Sequence, residues 1–205
     1  MGYGSFKPPS LPFYLDGLAG HQRITFQLQR VDPATGEVIS MPRDGLQSYS
    51  SWSSGYEHKT DRWMLASYGR MDVSQARLDA YEEAGDPLQA LAFDEMAIQT
   101  RVSTLGLRGR FKREIRWGTL EPKFRIEFQR DFHDASAQVV RYADQDNGPA
   151  YILPADGFDR SRAIIEVGGV LRTIGGMVLR LDLRSVRGGP NDSDNAISFS
   201  LQDDH

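Results

Sequence analysis

The sequence predicts an all-β protein folded as an antiparallel up-and-down β-barrel of about eight strands. Three segments repeat one order of residues, arginine, apolar, acidic, apolar, at an interval of 55 residues: 70–73, 125–128 and 180–183. Successive side chains of a strand point to opposite faces, so the arginine and the acid share one face and the apolar residues take the other. Alternation over about ten residues and a succession of short and long connections lead to the same prediction.

Each predicted strand is an alternating run that lies between turn signals. The clearest is 120–129, where five apolar residues alternate with five polar ones over transmembrane-strand length. The runs 164–172 and 177–184 flank Gly175 and Gly176, which can supply the positive φ that a tight hairpin needs. The full set of predicted strands is 15–30, 49–58, 63–76, 102–112, 120–129, 164–172, 177–184 and 195–202.

The connections alternate in length along the chain. Tight turns are predicted near Thr60, Glu114 and Gly175, and the long connections are 31–47, 78–97, 132–162 and 188–194. Short turns at one end and long loops at the other are typical of outer-membrane barrels, so the fold class becomes an all-β, antiparallel up-and-down transmembrane-type β-barrel. We interpret 74–97 as a loop, with strand extensions or a single helical turn as alternatives.

Composition excludes several functional classes. The 205 residues are 40% hydrophobic and 25% charged, which is ordinary for a folded domain, and the net charge of -4 gives no attraction to nucleic acid. The absence of cysteine removes disulfides, thiolate nucleophiles and cysteine-based zinc sites. No run of apolar residues is long enough for a transmembrane helix, and the N-terminus lacks a signal-peptide layout, so we expect an exported form to need a longer N-terminus.

The sequence carries no catalytic signature. His21, His58, His133 and His205 are scattered without the spacing of a metal or catalytic site, and no nucleophile elbow or phosphate-binding glycine loop is present. We therefore expect a protein without enzymatic activity, cofactor or bound metal.

One set of charged residues shares the polar face of the predicted strands. In a membrane barrel this charged ladder would line a hydrophilic lumen, whereas in a soluble sheet it would be the solvated outer face. A soluble sheet must bury its apolar face, and no helix or second apolar set is evident to cover it. The charged ladder consists of Arg70, Asp72, Arg108, Arg110, Arg125, Glu127, Glu166, Arg172, Arg180, Asp182 and Arg184.

From about residue 11, most of the chain resembles the C-terminal translocator domain of bacterial autotransporters. No single short motif carries the resemblance, which depends on an ordered series of segments with their spacing. These segments are 15–20, 68–72, 76–85, 100–108, 117–132, 142–143 and 159–160.

The resemblance implies a twelve-stranded barrel in the outer membrane of a Gram-negative bacterium that anchors and exports an N-terminal passenger. Outer-membrane lipid, the passenger and the machinery that inserts outer-membrane barrels would be its partners. About eight of the twelve strands are predicted, so we expect a partial barrel domain over 11–205 after an N-terminal extension over 1–10. The chain lacks the terminal aromatic residue with which members of the family usually end.

A second function from a different class remains open at this point. A soluble antiparallel β-barrel or sandwich could bind a small ligand or a protein, and it would have an apolar interior. Partitioning into detergent would favour the membrane barrel, and a monomer in plain buffer would favour the soluble protein.

Overall fold

A computed structural model of the chain describes residues 1–31, 36, 38–83, 90–132, 136–144, 148–154, 161–188 and 193–203. Among these residues, no helix combines the length and the apolar character needed to cross a membrane. The strands in chain order are β1 (Gly2–Phe6), β2 (Phe13–Val31), β3 (Val38–Lys59), β4 (Trp63–Leu78), β5 (Tyr81–Glu82), β6 (Leu91–Phe93), β7 (Met96–Phe111), β8 (Arg113–Ile115), β9 (Gly118–Asp131), β10 (Ala137–Tyr142), β11 (Tyr151–Pro154), β12 (Ser161–Thr173), β13 (Met177–Arg187) and β14 (Ser193–Asp203).

The described strands form one large and one small antiparallel sheet. The large sheet runs in the order β1-β2-β3-β4-β7-β9-β12-β13-β14, and β8 pairs with β9 beside this path. The small sheet has the order β11-β10-β6-β5. All eight predicted strands lie in the large sheet, and β1 adds a ninth to its path. The antiparallel all-β fold is confirmed, although in the described residues β1 pairs only with β2 and β14 only with β13, so the ring is not closed.

The alternation predicted for β9 is present in the structure. Its apolar residues from Leu120 to Phe128 are exposed, while the polar residues between them are buried or half-buried. The two faces of the sheet therefore differ, and we call the first the outer face and the second the inner face. At the turn between β12 and β13, Gly176 takes a φ of 86°, as the tight hairpin requires.

The long loop predicted for 31–47 was wrong, because most of it is strand. Residues 38–56 of β3 pair with 13–31 of β2 without interruption. The part of this strand pair farther from the apolar band is held together by polar contacts on the outer face. Arg23 Nη2 donates to Asp44 Oδ2 at 2.7 Å, and Thr25 Oγ1 donates to Asp44 Oδ1 at 2.6 Å. Backbone pairing of β3 continues past the apolar band, where the predicted strand 49–58 had ended.

Two of the other predicted long connections, 78–97 and 132–162, contain the small sheet. The segment 74–97 extends β4 to Leu78 and then forms β5 and β6, which corresponds to the alternative of strand extensions, while 85–87 lie outside the described residues. Residues 137–142 and 151–154 of the predicted loop 132–162 form β10 and β11. An apolar cluster is buried at this end of the molecule, and it consists of Ala76, Leu78, Ala90, Met96 and Val140.

Arg43 of β3 ties the small sheet to the large one. Its guanidinium donates to the Asp79 and Asp94 carbonyls and to Gln138 Oε1, each at 2.8 Å, and lies 5.2 Å from the centre of the Tyr81 ring. The side chain is only 5% exposed, and a buried charge of this kind is tolerated because these partners satisfy it. Arg43 thus fixes the position of the small sheet over the end of the extended β3.

A buried ion pair supports the same contact and predicts acid sensitivity. Arg30 donates to Glu83 at 3.0 and 2.5 Å, and the Leu91 amide donates to Glu83 Oε2 at 3.0 Å. Burial alone raises the pKa of Glu83, but the hydrogen bonds from Arg30 and Leu91 outweigh it and leave the pKa below its ordinary value. A carboxyl with a lowered folded pKa stabilises the fold above its unfolded pKa, and this contribution is lost as the pH falls through the folded pKa.

We therefore expect the small sheet to loosen as the pH falls below about 4.3, the ordinary glutamate pKa. Hydrogen exchange of the Leu91 amide should accelerate there relative to amides of β9. In Glu83→Gln the acid-induced change should be weaker, and an unchanged acid response of the Leu91 amide in this variant would contradict the assignment to Glu83.

Candidate functional site

The inner face of the large sheet carries most of the predicted charged ladder, at two levels of burial. Two connected groups of side chains cross this face from strand to strand. The members that are buried or half-buried are Arg70, Asp72, Arg108, Arg125, Glu127, Glu166 and Asp182. The exposed members, which lie nearer the turn end or toward the β14 edge, are Arg110, Arg172, Arg180 and Arg184.

Glu127 is at the centre of the larger group. It is 3% exposed, accepts a hydrogen bond from Tyr68 Oη at 2.5 Å, and its Oε1 lies 3.8 Å from Arg125 Nη1. Arg125 in turn donates to Glu166 Oε2 at 2.5 Å. Side chains of three strands, β4, β9 and β12, are thereby linked across the intervening β7.

Arg108 extends the group in the other direction. It is the direct register partner of Arg125, so two like charges face each other and need acids around them. Its guanidinium lies 5.6 Å from the centre of the Tyr68 ring, and Nη2 is 3.5 Å from Glu57 Oε2. Glu57 also pairs with Lys7 at 2.7 Å, which carries the connection to the segment between β1 and β2.

Smaller pairs complete the charged surface. Arg70 Nε donates to Asp72 Oδ2 at 2.8 Å, and Ser51 Oγ donates to Asp72 Oδ1 at 2.6 Å. Further along, Lys123 Nζ lies 2.9 Å from Asp182 Oδ1. Among the described residues, Arg180 and Arg184 have no ion-pair partner, so the balance of charge shifts toward positive near β14.

Sequence reasoning missed several members of this network, namely Lys7, Glu57, Tyr68 and Lys123. Tyr68 and Lys123 each stand two residues before a ladder arginine, and the alternation of 120–129 already places Lys123 on the polar face, although the charged ladder does not include it. Tyr68 was missed because the charged ladder contains only ionic side chains. Lys7 precedes β2 in a segment without alternation, and no sequence signal places it near Glu57.

The polar chemistry of the inner face extends beyond its ion pairs. Some polar atoms are buried without a hydrogen-bond partner in the described part of the chain: Thr104 Oγ1, Arg108 Nε and Arg125 Nε. The described residues contain no group of three or more side chains that could hold a metal ion. His21 Nδ1 lies 2.9 Å from Ser48 Oγ and His58 packs against Trp63, while 133 and 205 are outside the described residues.

Gly106 of β7 provides the space that the Tyr68 ring occupies. A Cβ at this position would lie 2.3 Å from Cζ of Tyr68, whose hydroxyl is held by Glu127. We expect Gly106→Ala to lower the free energy of unfolding by roughly 1–3 kcal/mol, because the ring must leave its place. Guanidinium titration measures the change. Gly69→Ala is the matched control, since the nearest atom to its Cβ is 3.8 Å away. A loss as large in the control would contradict the steric explanation.

The outer face is a band of exposed apolar side chains. On β4 it runs from Trp63 to Val73 and on β9 from Leu120 to Phe128, which is transmembrane-strand length. Trp63 and Trp117 are exposed at the short-turn end of this band. Exposed apolar members of the band on β4, β7, β9 and β12 include Leu65, Met71, Leu105, Leu107, Phe124, Ile126, Phe128, Ile165 and Val167.

The chain was compared with models of known protein families. The family model described as the autotransporter beta-domain matches residues 1–184. The chain belongs to the autotransporter β-domain family. No curated protein matches the sequence.

Membership confirms the resemblance found in the sequence, with its all-β fold and its family's role as an outer-membrane translocator. The match begins at residue 1 and so includes β1, which lies in the segment predicted as an extension. The boundary at residue 11 stays a prediction. An autotransporter β-domain belongs to a translocator family that is generally non-enzymatic.

Proposed function

We propose that the chain anchors an N-terminal passenger in the outer membrane of a Gram-negative bacterium and takes part in its export, without catalysing a reaction. The single observation that carries this proposal is the contrast between the two faces of the large sheet. Its outer face exposes apolar side chains over transmembrane-strand length, and its inner face holds a connected set of charges. Lipid is the environment in which that arrangement is stable.

The charged ladder then has a structural role, which we propose is to line a hydrophilic lumen. Arg108, Arg125 and Glu127 would keep the interior wet and would offer polar contacts to a polypeptide held there. The proposed partners are outer-membrane lipid, the passenger and the barrel-insertion machinery, and none is nucleic acid. We treat 11–205 as a partial barrel domain on the same basis.

Detergent behaviour tests the membrane location first. We expect the purified chain to need detergent, and to migrate differently on a gel before and after boiling because a folded barrel resists denaturation. A monomer that keeps its strand content in plain buffer would favour the soluble alternative and would overturn the proposal. The exposed apolar band argues against that outcome.

Export is tested separately with a reporter passenger fused before residue 1. We expect protease added to intact cells to remove the reporter from the cell surface. An inserted, heat-modifiable barrel whose reporter stays protected would leave the anchoring role in place and would contradict the export role.

A further inference from the structure

Two exposed arginines end the apolar band on the outer face of the large sheet, at the end away from the short turns. Arg130 follows Phe128 by two residues on β9, so both side chains project from the outer face. On β7, Arg101 stands four residues from Leu105 and shares its face for the same reason. All four side chains are exposed. We call Arg101 and Arg130 the outer arginine pair.

Strand register brings the two arginines of this pair together. The Phe132 amide donates to the Arg101 carbonyl at 2.9 Å, so Phe132 is the cross-strand neighbour of Arg101. Arg130, two residues earlier on β9, is then the diagonal neighbour of Arg101, at a Cα separation of roughly 7–8 Å. The Arg130 guanidinium lies 5.6 Å from the centre of the Phe132 ring, which holds it close to the strand. Both guanidinium groups can therefore reach one small anion.

The charge of the outer arginine pair is not neutralised within the described part of the chain. Its residues supply neither arginine with an ion-pair partner. Asp131 Oδ1 accepts a hydrogen bond from the Arg101 backbone amide at 3.4 Å, and not from its guanidinium. Uncharged residues flank the pair in the sheet, since Val73 is the register partner of Arg101 and Ser161 that of Arg130. Positive charge at the end of an apolar surface favours a ligand that is anionic at one end and apolar along the rest.

We propose that the outer arginine pair binds the phosphate of an anionic lipid whose acyl chain lies along the apolar band. Guanidinium groups match the oxygen geometry of a phosphate, and two of them on neighbouring strands contact one phosphate together. The acyl chain runs from there toward the short turns, over Leu105 and Phe128, which are register partners. Both parts of the site share the outer face, so one lipid can occupy them. The site rests on the proposed membrane location, and because long connections of outer-membrane barrels face outside, the lipid belongs to the outer leaflet.

Native mass spectrometry of the folded protein tests the site with two lipids of the same acyl chains, phosphatidic acid and zwitterionic phosphatidylcholine. We expect phosphatidic acid to be retained preferentially. Arg101→Gln combined with Arg130→Gln should weaken its binding roughly 30-fold, since each cation near a lipid surface contributes about 1 kcal/mol. The matched control is Arg180→Gln with Arg184→Gln, which removes two exposed cations from the inner face and should leave binding unchanged. Heat-modifiable migration of both variants checks that they are folded.

Three outcomes would overturn the site. Equal retention of both lipids would remove the headgroup preference, and an equal loss in the control variant would reduce the effect to overall charge. Complete displacement by millimolar inorganic phosphate would assign the outer arginine pair to free phosphate. Each of these leaves the protein in detergent with heat-modifiable migration, whereas a failure of the membrane proposal removes that behaviour, so the two failures are distinguishable.

Discussion

Ile126→Arg is expected to lower the free energy of unfolding by roughly 2–4 kcal/mol when the protein is folded into lipid vesicles. Ile126 is 48% exposed on the outer face, and its register partners Leu107 and Ile165 extend the apolar surface on both sides. Near the middle of the bilayer a guanidinium loses its hydration and finds no counter-charge, so the cost falls on the folded state.

Depth provides the matched control for this prediction. Leu120 lies on the same strand and the same face, but at the short-turn end of the band. Leu120→Arg should cost only about 0–1 kcal/mol, because its guanidinium reaches the headgroups. Guanidinium titration from vesicles measures both variants. Equal costs at the two positions would mean that lipid does not cover the outer face.

Glu127→Leu is the second large expected effect, with a loss of roughly 2–4 kcal/mol of unfolding free energy. Glu127 is almost fully buried, and its removal takes away the carboxylate whose Oε1 lies 3.8 Å from Arg125 Nη1, while Arg108 still faces Arg125 as its register partner. The Tyr68 hydroxyl also loses its acceptor. The two arginines are partly exposed, which keeps the cost below that of a fully buried charge.

Two further variants separate charge from packing. Glu127→Gln keeps an acceptor for Tyr68 Oη, so it should cost less than Glu127→Leu. Combining Glu127→Leu with Arg125→Met should cost less than the sum of the two single losses, because both single changes break the same Arg125–Glu127 contact. Purely additive losses in this double variant would show that Glu127 and Arg125 do not act as a pair.

The strands within the apolar band could be predicted from sequence because one physical cause governs them. In β9, exposed apolar residues alternate with buried or half-buried polar residues along the strand. The predicted strand 120–129 therefore covers most of Gly118–Asp131. β1 was missed because Gly2 and Gly4 weaken any alternation. Residues 38–48 of β3 were missed because the outer face of this segment is largely polar, whereas the predicted strand 15–30 covers nearly all of β2. The small sheet was missed because β6 and β11 have only three and four residues.

The inner face was predicted as a surface and not as a network. Alternation places Arg125 and Glu166 on one face, but the partner of each charge depends on strand register and on side-chain reach. Arg108 illustrates the limit, since its register partner is another arginine and its acid, Glu57, lies two strands away on β3. Such an ion pair between different strands depends on distances in the folded sheet, and these cannot be read from the spacing of residues along one strand.

The direction of the two edge strands sets a rule of parity for any closed ring. Nine strands follow one another from β1 to β14 with antiparallel pairing at every step, so the first and the last run the same way. Direct pairing of β1 with β14 would therefore be parallel. If a second copy of the chain in the same membrane orientation filled the gap, its β1 would also pair in parallel with β14 of the first copy. An antiparallel wall therefore closes only when an odd number of strands stands between β14 and β1, and three such strands would bring the circumference to the twelve that the family resemblance implies.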